Sequence, residues 1–504
     1  MLVIHKQTSV ASNSPSERVK LSPVSRLTFG LDFGTTNSSL SILRDGQPLL
    51  LPIDTAAINK EVVRSALYFY PKKFTISNKV TPEQLESQTY NAWQVSYEGE
   101  NKNLIGEGAV RAYLNDNKQR KKGVKRKILT GEIIRNVILY VTPSGTQVLG
   151  DIPDYYEEYD YGTGRLFHAL KTALKSPYYK GSRVFGNYYT LEQLISLFIK
   201  ELRQNASRQI GEDVVSVTCG RPVYFSPDPQ KDRAAQDRLE AALKESGFKN
   251  ISFEFEPIAA AKYYLSRFPK KGQRVLVFDF GGGTLDTTII ENKEGFKVLA
   301  TDGVYIGGDL LNSDIFYNRL GPIFGTQNTW GEKSLNMPYN IISALQSWYG
   351  IPNLNTPETI NFLESSARHK SSNVSAIDRL LHLIHSNLGF EIYESIEIAK
   401  KELTLKKEAV ISFSDGPINI SEKITRQDFE EIIAPRVESI RNCVMRTLRK
   451  ACVDPEEISV VVRTGGSSLI PVFEQMLHGI FGQNKVTEFD PFTSIAAGLS
   501  ISSG

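Results

Sequence analysis

Cysteine is nearly absent from this chain. Three occur in 504 residues, Cys219, Cys443 and Cys452, and none stands at a metal-ligand spacing. That argues against a disulfide framework or a zinc site and for a reducing, cytoplasmic compartment. An excess of one charge is lacking too. Lys and Arg number 59 against 56 Asp and Glu, a net +3, too little to make nucleic acid a main partner. No apolar run reaches the roughly 20 residues that a membrane helix needs, so no membrane partner is expected. The first 26 residues are polar and contain no signal-peptide core, and they are expected to form a flexible tail. What remains is ordinary for a soluble globular chain, 40% hydrophobic and 23% charged, long enough for more than one domain.

One stretch organises the rest. Residues 275–290 read VLVFDFGGGTLDTTII, an apolar strand, an acid, three glycines and a second apolar strand. Two β-rich runs around a glycine turn predict a hairpin. Three glycines, Gly281, Gly282 and Gly283, are more than a turn requires. Without side chains they let backbone amides approach an anion. Asp279 and Asp286 bracket the turn, and such acids can hold a hydrated Mg²⁺. A tight hairpin with incidental acids is the plainer reading of this stretch alone. A second copy decides between them. Residues 27–42, LTFGLDFGTTNSSLSI, repeat the plan of strand, Asp32, Phe33, Gly34, Thr35 and strand. Two such hairpins far apart in the chain predict two similar lobes offering their turns to one nucleotide.

Between and beyond them, helices and strands alternate as in a mixed α/β protein. Asp45-Gly46 marks a hairpin turn. Residues 61–70 read as a strand entry, 81–89 as helical, and 104–113 as a turn opening a short helix. The basic run 118–127 suits a nucleic-acid, membrane or localisation patch, or a solvated loop. The absence of interleaved aromatics favours the loop. The acidic, Tyr-rich residues 151–160 are placed to neutralise it. Residues 191–207 form an amphipathic helix with Leu191, Leu194, Ile195, Leu197, Phe198 and Leu202 on one broad face. Strands are expected over 214–220, 251–256 and 458–463. Helices are expected over 230–246, 257–266, 388–407, 425–451 (capped by Thr425), 473–481 and 493–500. A strand pair is expected over 409–420. Residues 324–387 are the least regular and read as an inserted subdomain.

Five stretches then line up in order with one family: GLDFGTTN at 30–37, PVYF at 222–225, EPIAAA at 256–261, the central hairpin, and TGGS at 464–467. The chain resembles the nucleotide-binding domain of the seventy-kilodalton heat-shock chaperones, the DnaK family, within the actin-like ATPase superfamily. Its form is closest to the short YegD-type members. The resemblance implies an α/β, ribonuclease H-like fold with two lobes around a central nucleotide cleft. Lobe I would span 27–265 with an inserted subdomain at about 50–165. Lobe II would span 266–490 with one at about 310–410, and residues 491–504 would return to lobe I. It implies ATP or ADP with Mg²⁺ as cofactors, slow ATP hydrolysis and lobe closure that follows nucleotide state. Backbone amides of Gly34, Thr35, Thr36 and Asn37, and of Gly281, Gly282, Gly283 and Thr284, would cradle phosphates. Asp32 and Asp279 would hold the metal. Lys171, with Lys175 as runner-up, and Glu256 would position the attacking water, and the Thr284 hydroxyl would meet the γ-phosphate. Gly307, Gly308, Gly465, Gly466 and Ser467 would lie near the α-phosphate and sugar. Glu397, Lys400 and Thr404, at i, i+3 and i+7, would form the adenosine-binding helix face, although an ordinary charged helix surface has the same spacing. Pro222 would relay nucleotide state with Lys231 or Arg233, or simply end a strand rigidly.

Three departures qualify the likeness. The chain stops at Gly504, so the family's linker, β-sandwich peptide-binding domain and lid are expected to be absent. Leu469 stands where the adenosine loop usually carries an Arg. Residues 118–161 and 324–387 match poorly, so protein clients and co-chaperones are not specified, nor is an oligomeric state. A sugar kinase of the same superfamily would need a catalytic Asp at the sugar site, and EPIAA at 256–260 argues against it. A nucleotide-switched scaffold without turnover, or a filament former, ranks below an ATPase because every named catalytic side chain is present.

Overall fold

The computed structural model describes residues 27–77, 92–118, 124–160, 163–293, 295–330, 334–368 and 373–502. The expected tail at 1–26 and the helix at 81–89 lie outside the described residues, as do residues 119–123 of the basic run.

Ten strands and seven helices position the site. The strands are β1 (Thr28–Phe33), β2 (Asn37–Arg44), β3 (Gln47–Leu50), β4 (Ser216–Arg221), β5 (Asn250–Phe255), β6 (Gln273–Phe280), β7 (Leu285–Asn292), β8 (Phe296–Val304), β9 (Val460–Thr464) and β10 (Val486–Glu488). The helices are α1 (Leu191–Ile210), α2 (Pro229–Glu245), α3 (Glu256–Arg267), α4 (Gly308–Ile315), α5 (Gly389–Leu405), α6 (Arg426–Ala451) and α7 (Ser494–Ser502).

The strands form two sheets of one plan. The first runs β5-β4-β1-β2-β3, with the short strand Val63–Arg64 also paired to β2. The second runs β10-β9-β6-β7-β8. In each, an antiparallel meander of three strands is extended by two parallel strands on the side of its first. Local chemistry makes the hairpins. Asp45 and Gly46 both adopt positive φ, 52° and 74°, as a two-residue turn between β2 and β3 requires.

Each sheet buries one face under helices. Under the first, Leu194, Ile195, Phe198 and Leu202 of α1 pack with Leu239 and Leu243 of α2. A Thr190–Gln193 capping box starts α1, and Gly211, at φ 80°, ends it. The second sheet packs on α5 and α6, and Thr425 caps α6 with Asp428. Each fully buried Leu, Ile or Phe contributes roughly 1.5–3 kcal/mol. Helices α3 and α7 cover the remaining face of the second sheet, through Ala259, Ala260, Leu265, Ile495 and Leu499 against Val275, Val277 and Val462. Helix α7 also reaches the first sheet, where Ser41 Oγ donates to the Ala496 carbonyl at 2.6 Å. Small residues permit this. A Cβ on Gly498 would meet the Ala259 carbonyl oxygen at 1.8 Å, and one on Gly30 the Ala496 oxygen at 2.5 Å. The last helix therefore ties the two halves of the chain together.

Two expectations are corrected. The basic run is not a loop from Val124 onward. It enters the strand Val124–Val141, which pairs antiparallel with Gln147–Asp160 and sets Lys127 opposite Glu157. Cross-strand pairing fixed by a distant partner overrides the local polarity. Residues 324–387 are also more regular than their composition suggests, with helices at Tyr339–Leu345, Pro357–Ala367 and Val374–His385. Their Asn and Thr residues serve as caps: Thr356 accepts from the Thr359 amide and Asn373 from the Ala376 amide.

Candidate functional site

The tips of the two hairpins meet. Both are four-residue connections, because Phe33 pairs with Ser38 and Phe280 with Leu285. A Cβ on Gly282 would lie 2.1 Å from Thr36 Oγ1, and one on Gly283 would lie 3.0 Å from Thr35 Oγ1. Only glycine allows this approach. Among the described residues, the amides of Thr35, Thr36, Gly282 and Gly283 have no hydrogen-bond partner. Each tip is braced from behind. Ser65 donates from its amide to the Thr36 carbonyl and from Oγ to the Gly34 carbonyl, each at 2.8 Å. The Gly308 and Asp309 amides donate to the Gly281 and Gly282 carbonyls at 3.1 and 2.9 Å, and Ser467 Oγ donates to the Gly281 carbonyl at 2.9 Å.

Below the tips lies a cleft of about 140 Å³ lined by Asp32, Gly34, Thr35, Thr36, Asn37, Lys171, Glu256, Asp279, Gly281, Gly282, Gly283, Thr284, Gly465 and Gly466. At its floor Lys171 Nζ donates to Glu256 Oε1 at 2.6 Å, with both side chains less than a tenth exposed. Lys171 reaches this point from an unusual backbone. Ala169 adopts φ 56° and ends the strand Arg165–His168, and a single helical turn, Leu170–Ala173, follows. Lys175 also lines the cleft, but its ammonium sits 4.9 Å over the Tyr305 ring.

Four carboxylates, Asp32, Glu256, Asp279 and Asp286, surround this one buried lysine, and the three aspartates are driven above the usual carboxylate range. Burial, then the Glu256 charge, pushes Asp32 up to about 7, against the pull of Lys171. Burial and Glu256 likewise push Asp286 up to about 7. Burial followed by Glu256, Asp286 and Asp32 drives Asp279 well above the usual carboxylate range. Burial works against the charged form of Lys171, yet Glu256 and Asp32 hold its pKa above the ordinary lysine value. The cluster is short of positive charge. Among the described residues no three His, Cys, Asp or Glu side chains converge closely enough to ligate an ion directly. Hard carboxylate oxygens in a cation-deficient cleft fit a Mg²⁺ ion that keeps its waters.

Gly307, Gly308, Glu397, Lys400 and Ser467 stand around the second tip. Lys400 is buried, donates to the Gly308 carbonyl at 3.1 Å and pairs with Glu397 at 2.6 Å. Asn312 donates to Glu397 at 2.9 Å. Burial alone would raise Glu397, but Lys400 and Lys401 hold it down at about 2. Glu397 lines a recess of about 190 Å³ that shares Thr36, Gly282 and Gly283 with the cleft. Gly307 fits against the Gly282 carbonyl, 2.2 Å from where its Cβ would be, and Gly465 takes φ 78°. Thr404 is not brought to either space, since its hydroxyl donates to the Lys401 carbonyl within its own helix.

The sequence marks Asp286 beside Asp279 as an acid able to hold hydrated Mg²⁺ but leaves it out of the metal pair, and it assigns no site role to Arg221, Arg463 or Phe492. Asp286 lies directly opposite Asp279 in the hairpin register and accepts from Thr284 Oγ1 at 3.1 Å. Its signal was the equal distance of both acids from the turn. The guanidinium beside Pro222 is Arg221, which donates to the Pro222 carbonyl at 3.1 Å and to Asp232 at 2.8 Å, while Lys231 and Arg233 are exposed. Arg463, 4% exposed, supports the 465–468 turn by donating to the Ser468 carbonyl at 2.8 Å. Phe492 lines the cleft and packs where a Gly466 Cβ would be.

Comparison with known proteins agrees with this geometry. A family model described as Hsp70 protein matches residues 171–319 and 386–504. The chain is similar to the chaperone protein DnaK of Thermus thermophilus, 27% identical over 361 residues, covering 68% of this chain and 49% of that protein. It is similar to the chaperone protein DnaK of Cyanidioschyzon merolae, 25% identical over 483 residues, covering 94% and 61%. It is also similar to the DnaK of Cenarchaeum symbiosum, 24% identical over 327 residues, covering 63% and 41%. The chain spans about half the length of the curated relatives it matches. The matched segments hold Lys171, Glu256 and the second hairpin. The first hairpin precedes them and is joined to the site by its contacts with the second tip.

Proposed function

The chain belongs to the Hsp70 family, and from that membership we propose that it binds ATP and ADP with Mg²⁺ between the two hairpin tips. It hydrolyses ATP slowly, alters the closure of the cleft with nucleotide state, and works as a chaperone-like protein in the cytoplasm. The observation that carries this reading is the buried Lys171–Glu256 pair lying between Asp32 and Asp279, beneath two glycine tips with unpartnered amides. Residues 27–265 and 266–490 form the two lobes of this reading, joined by α7.

The chain's own groups divide the work. The amides of Thr35, Thr36, Gly282 and Gly283 bind phosphate oxygens, supplying fixed dipoles where negative charge builds up. Lys171 offsets charge at the γ-phosphate, and Glu256, held by Lys171, orients the attacking water. Positioning and electrostatics supply most of the barrier reduction in such a transfer. Thr284 exchanges its bond to Asp286 for one to the γ-phosphate. Bound Mg²⁺ adds Lewis-acid neutralisation of the phosphates, with Asp32 and Asp279 as the residues that hold it. Braced by Lys400 and Ser467, the second tip keeps its shape as nucleotide enters. The intact Lys171–Glu256 pair favours turnover over a scaffold without hydrolysis.

Calorimetric titration of ATP with Mg²⁺, and again with EDTA, tests the reading. Wild-type binding weakens in EDTA, and Asp279→Asn loses most of that metal dependence. Equal affinity in all arms contradicts the metal assignment, and transfer of labelled phosphate to a hexose contradicts the ATPase assignment.

A further inference from the structure

One large apolar side chain stands uncovered in the nucleotide cleft. Phe492 is 40% exposed, while every residue after it from Thr493 to Ser500 is buried. It lines the cleft with Gly465, Gly466, Pro491 and Ile495. Its place is fixed by the fold. Asp490 takes φ 38°, a left-handed conformation just ahead of the rigid Pro491. The Gly465 amide donates to the Pro491 carbonyl at 2.8 Å, and Ser39 Oγ donates to the Phe492 carbonyl at 3.4 Å. The ring lies against Gly466, where a Cβ would sit 2.8 Å from its Cε1. A ring held this way in a polar cleft offers a flat apolar face to whatever enters.

On the premise that ATP binds between the tips, we propose that Phe492 is the stacking platform for the nucleotide base, and that the site takes guanine nucleotides nearly as well as adenine ones. The sheet register sets the direction. Strand β9 flanks Asp279 through Thr464, and β8 flanks Asp286 through Gly303. Gly465 and Phe492 therefore stand on one side of the second tip. Lys175, one turn beyond Lys171, stands on the other, over the ring of Tyr305 that follows β8. Phosphates on the tips, with the γ-phosphate towards Lys171, leave the base on the Phe492 side. The turn beside the ring has its side chains engaged within the fold. Thr464 bonds Ser494 at 2.9 Å, Ser467 donates to the Gly281 carbonyl at 2.9 Å, and Ser468 donates to the Gly465 carbonyl at 2.7 Å. Arg463 donates to the Ser468 carbonyl and to Glu474, and Leu469 carries no polar group. This turn therefore holds the ring without reading the edge of a base. Stacking on an aromatic ring tolerates any base, because each has a π-face. A pocket that makes no hydrogen bond to a base rejects a close analogue only weakly. Glu397 and Lys400, placed at the sugar, meet hydroxyls that ATP and GTP share.

Calorimetric titration with ADP, GDP or pyrophosphate in Mg²⁺ tests this, using the full chain as wild type, Phe492→Ala, Phe492→Trp and Tyr224→Ala. Pyrophosphate has no base and reports the tips alone. Wild type is expected to bind ADP and GDP within about tenfold of each other. Phe492→Ala is expected to weaken both by about 5- to 150-fold, the range of base–aromatic stacking. Its affinity for pyrophosphate is expected to stay unchanged, which also establishes that it folds. Phe492→Trp keeps a stacking face and is expected within about threefold of wild type for both nucleotides. Tyr224, the other exposed ring lining the cleft, is expected to be replaceable by Ala without effect on any of the three. A preference for ADP over GDP above about 100-fold overturns the proposal. So does unchanged nucleotide binding in Phe492→Ala, an equal loss of pyrophosphate binding, a Phe492→Trp as weak as Phe492→Ala, or a loss that appears in Tyr224→Ala instead. A wild type that binds neither nucleotide overturns the ATP reading itself.

Discussion

Replacing Lys171 with Met removes the one ammonium from a buried site that holds Asp32, Glu256, Asp279 and Asp286. At 2.6 Å from Glu256 Oε1, its attraction amounts to about 6 kcal/mol at an effective dielectric of about 20. Desolvation of both groups offsets much of this. Breaking one side of a buried pair nevertheless destabilises by about 3–5 kcal/mol, because the remaining charge is left without compensation. Glu256→Gln removes the other side and also relieves Asp32, Asp279 and Asp286, all of which its charge raises. Its effect should be under about 1 kcal/mol, or stabilising. The double variant should be less impaired than Lys171→Met by at least about 2 kcal/mol, a coupling far outside the additivity of independent sites. Urea unfolding of the four proteins at pH 7.5 in EDTA measures the cycle. If Lys171→Met unfolds at the wild-type urea midpoint, or the two effects add, the account of a cation-deficient carboxylate cluster is wrong.

Two further changes probe the same region. Ala169 holds φ 56° just before the turn that delivers Lys171, and left-handed backbone costs a residue with a Cβ about 1–2 kcal/mol. Ala169→Gly should raise stability by about 0.5–1 kcal/mol in urea unfolding with hydrolysis unchanged, and a loss of stability would show that the conformation carries no strain. Asp286 has a pKa raised to about 7 by burial and Glu256, so the folded state binds its proton more tightly than the unfolded state. Its favourable contribution is complete below about 4, the unfolded value, and is lost as pH rises through about 7. Asp286→Asn should therefore be more stable than wild type in EDTA by about 2–4 kcal/mol at pH 8, with the gap closing towards pH 4. A gap independent of pH would refute this.

The two hairpins were legible because each is a local object, apolar strands around a glycine turn, and their repetition needed no tertiary knowledge. Amphipathic helices such as α1, and capped ones such as α6, were legible for the same reason. The strand from Val124 was not, because Lys118–Lys127 looks like solvated loop until its partner, some thirty residues on, is known. Within the site, Lys171, Glu256, Asp32 and Asp279 come together as the family pattern implies. Asp286 was visible as an acid bracketing the turn, and the four-residue connection sets it directly opposite Asp279. Thr404 shows the limit of spacing arguments, since it shares a helix face with Lys400 yet bonds its own backbone. Arg221 was hidden at a strand end, where its reach to Asp232 depends on how α2 packs.

Single-turnover hydrolysis of labelled ATP by wild type, Lys171→Ala and Glu256→Ala tests the two-tip clamp most directly. The account predicts that each variant binds Mg²⁺-ATP within about tenfold of wild type while its hydrolysis falls about 100- to 1,000-fold, the loss expected when one preorganised charge is removed from a transition state. Hydrolysis at the wild-type rate in both variants would contradict it.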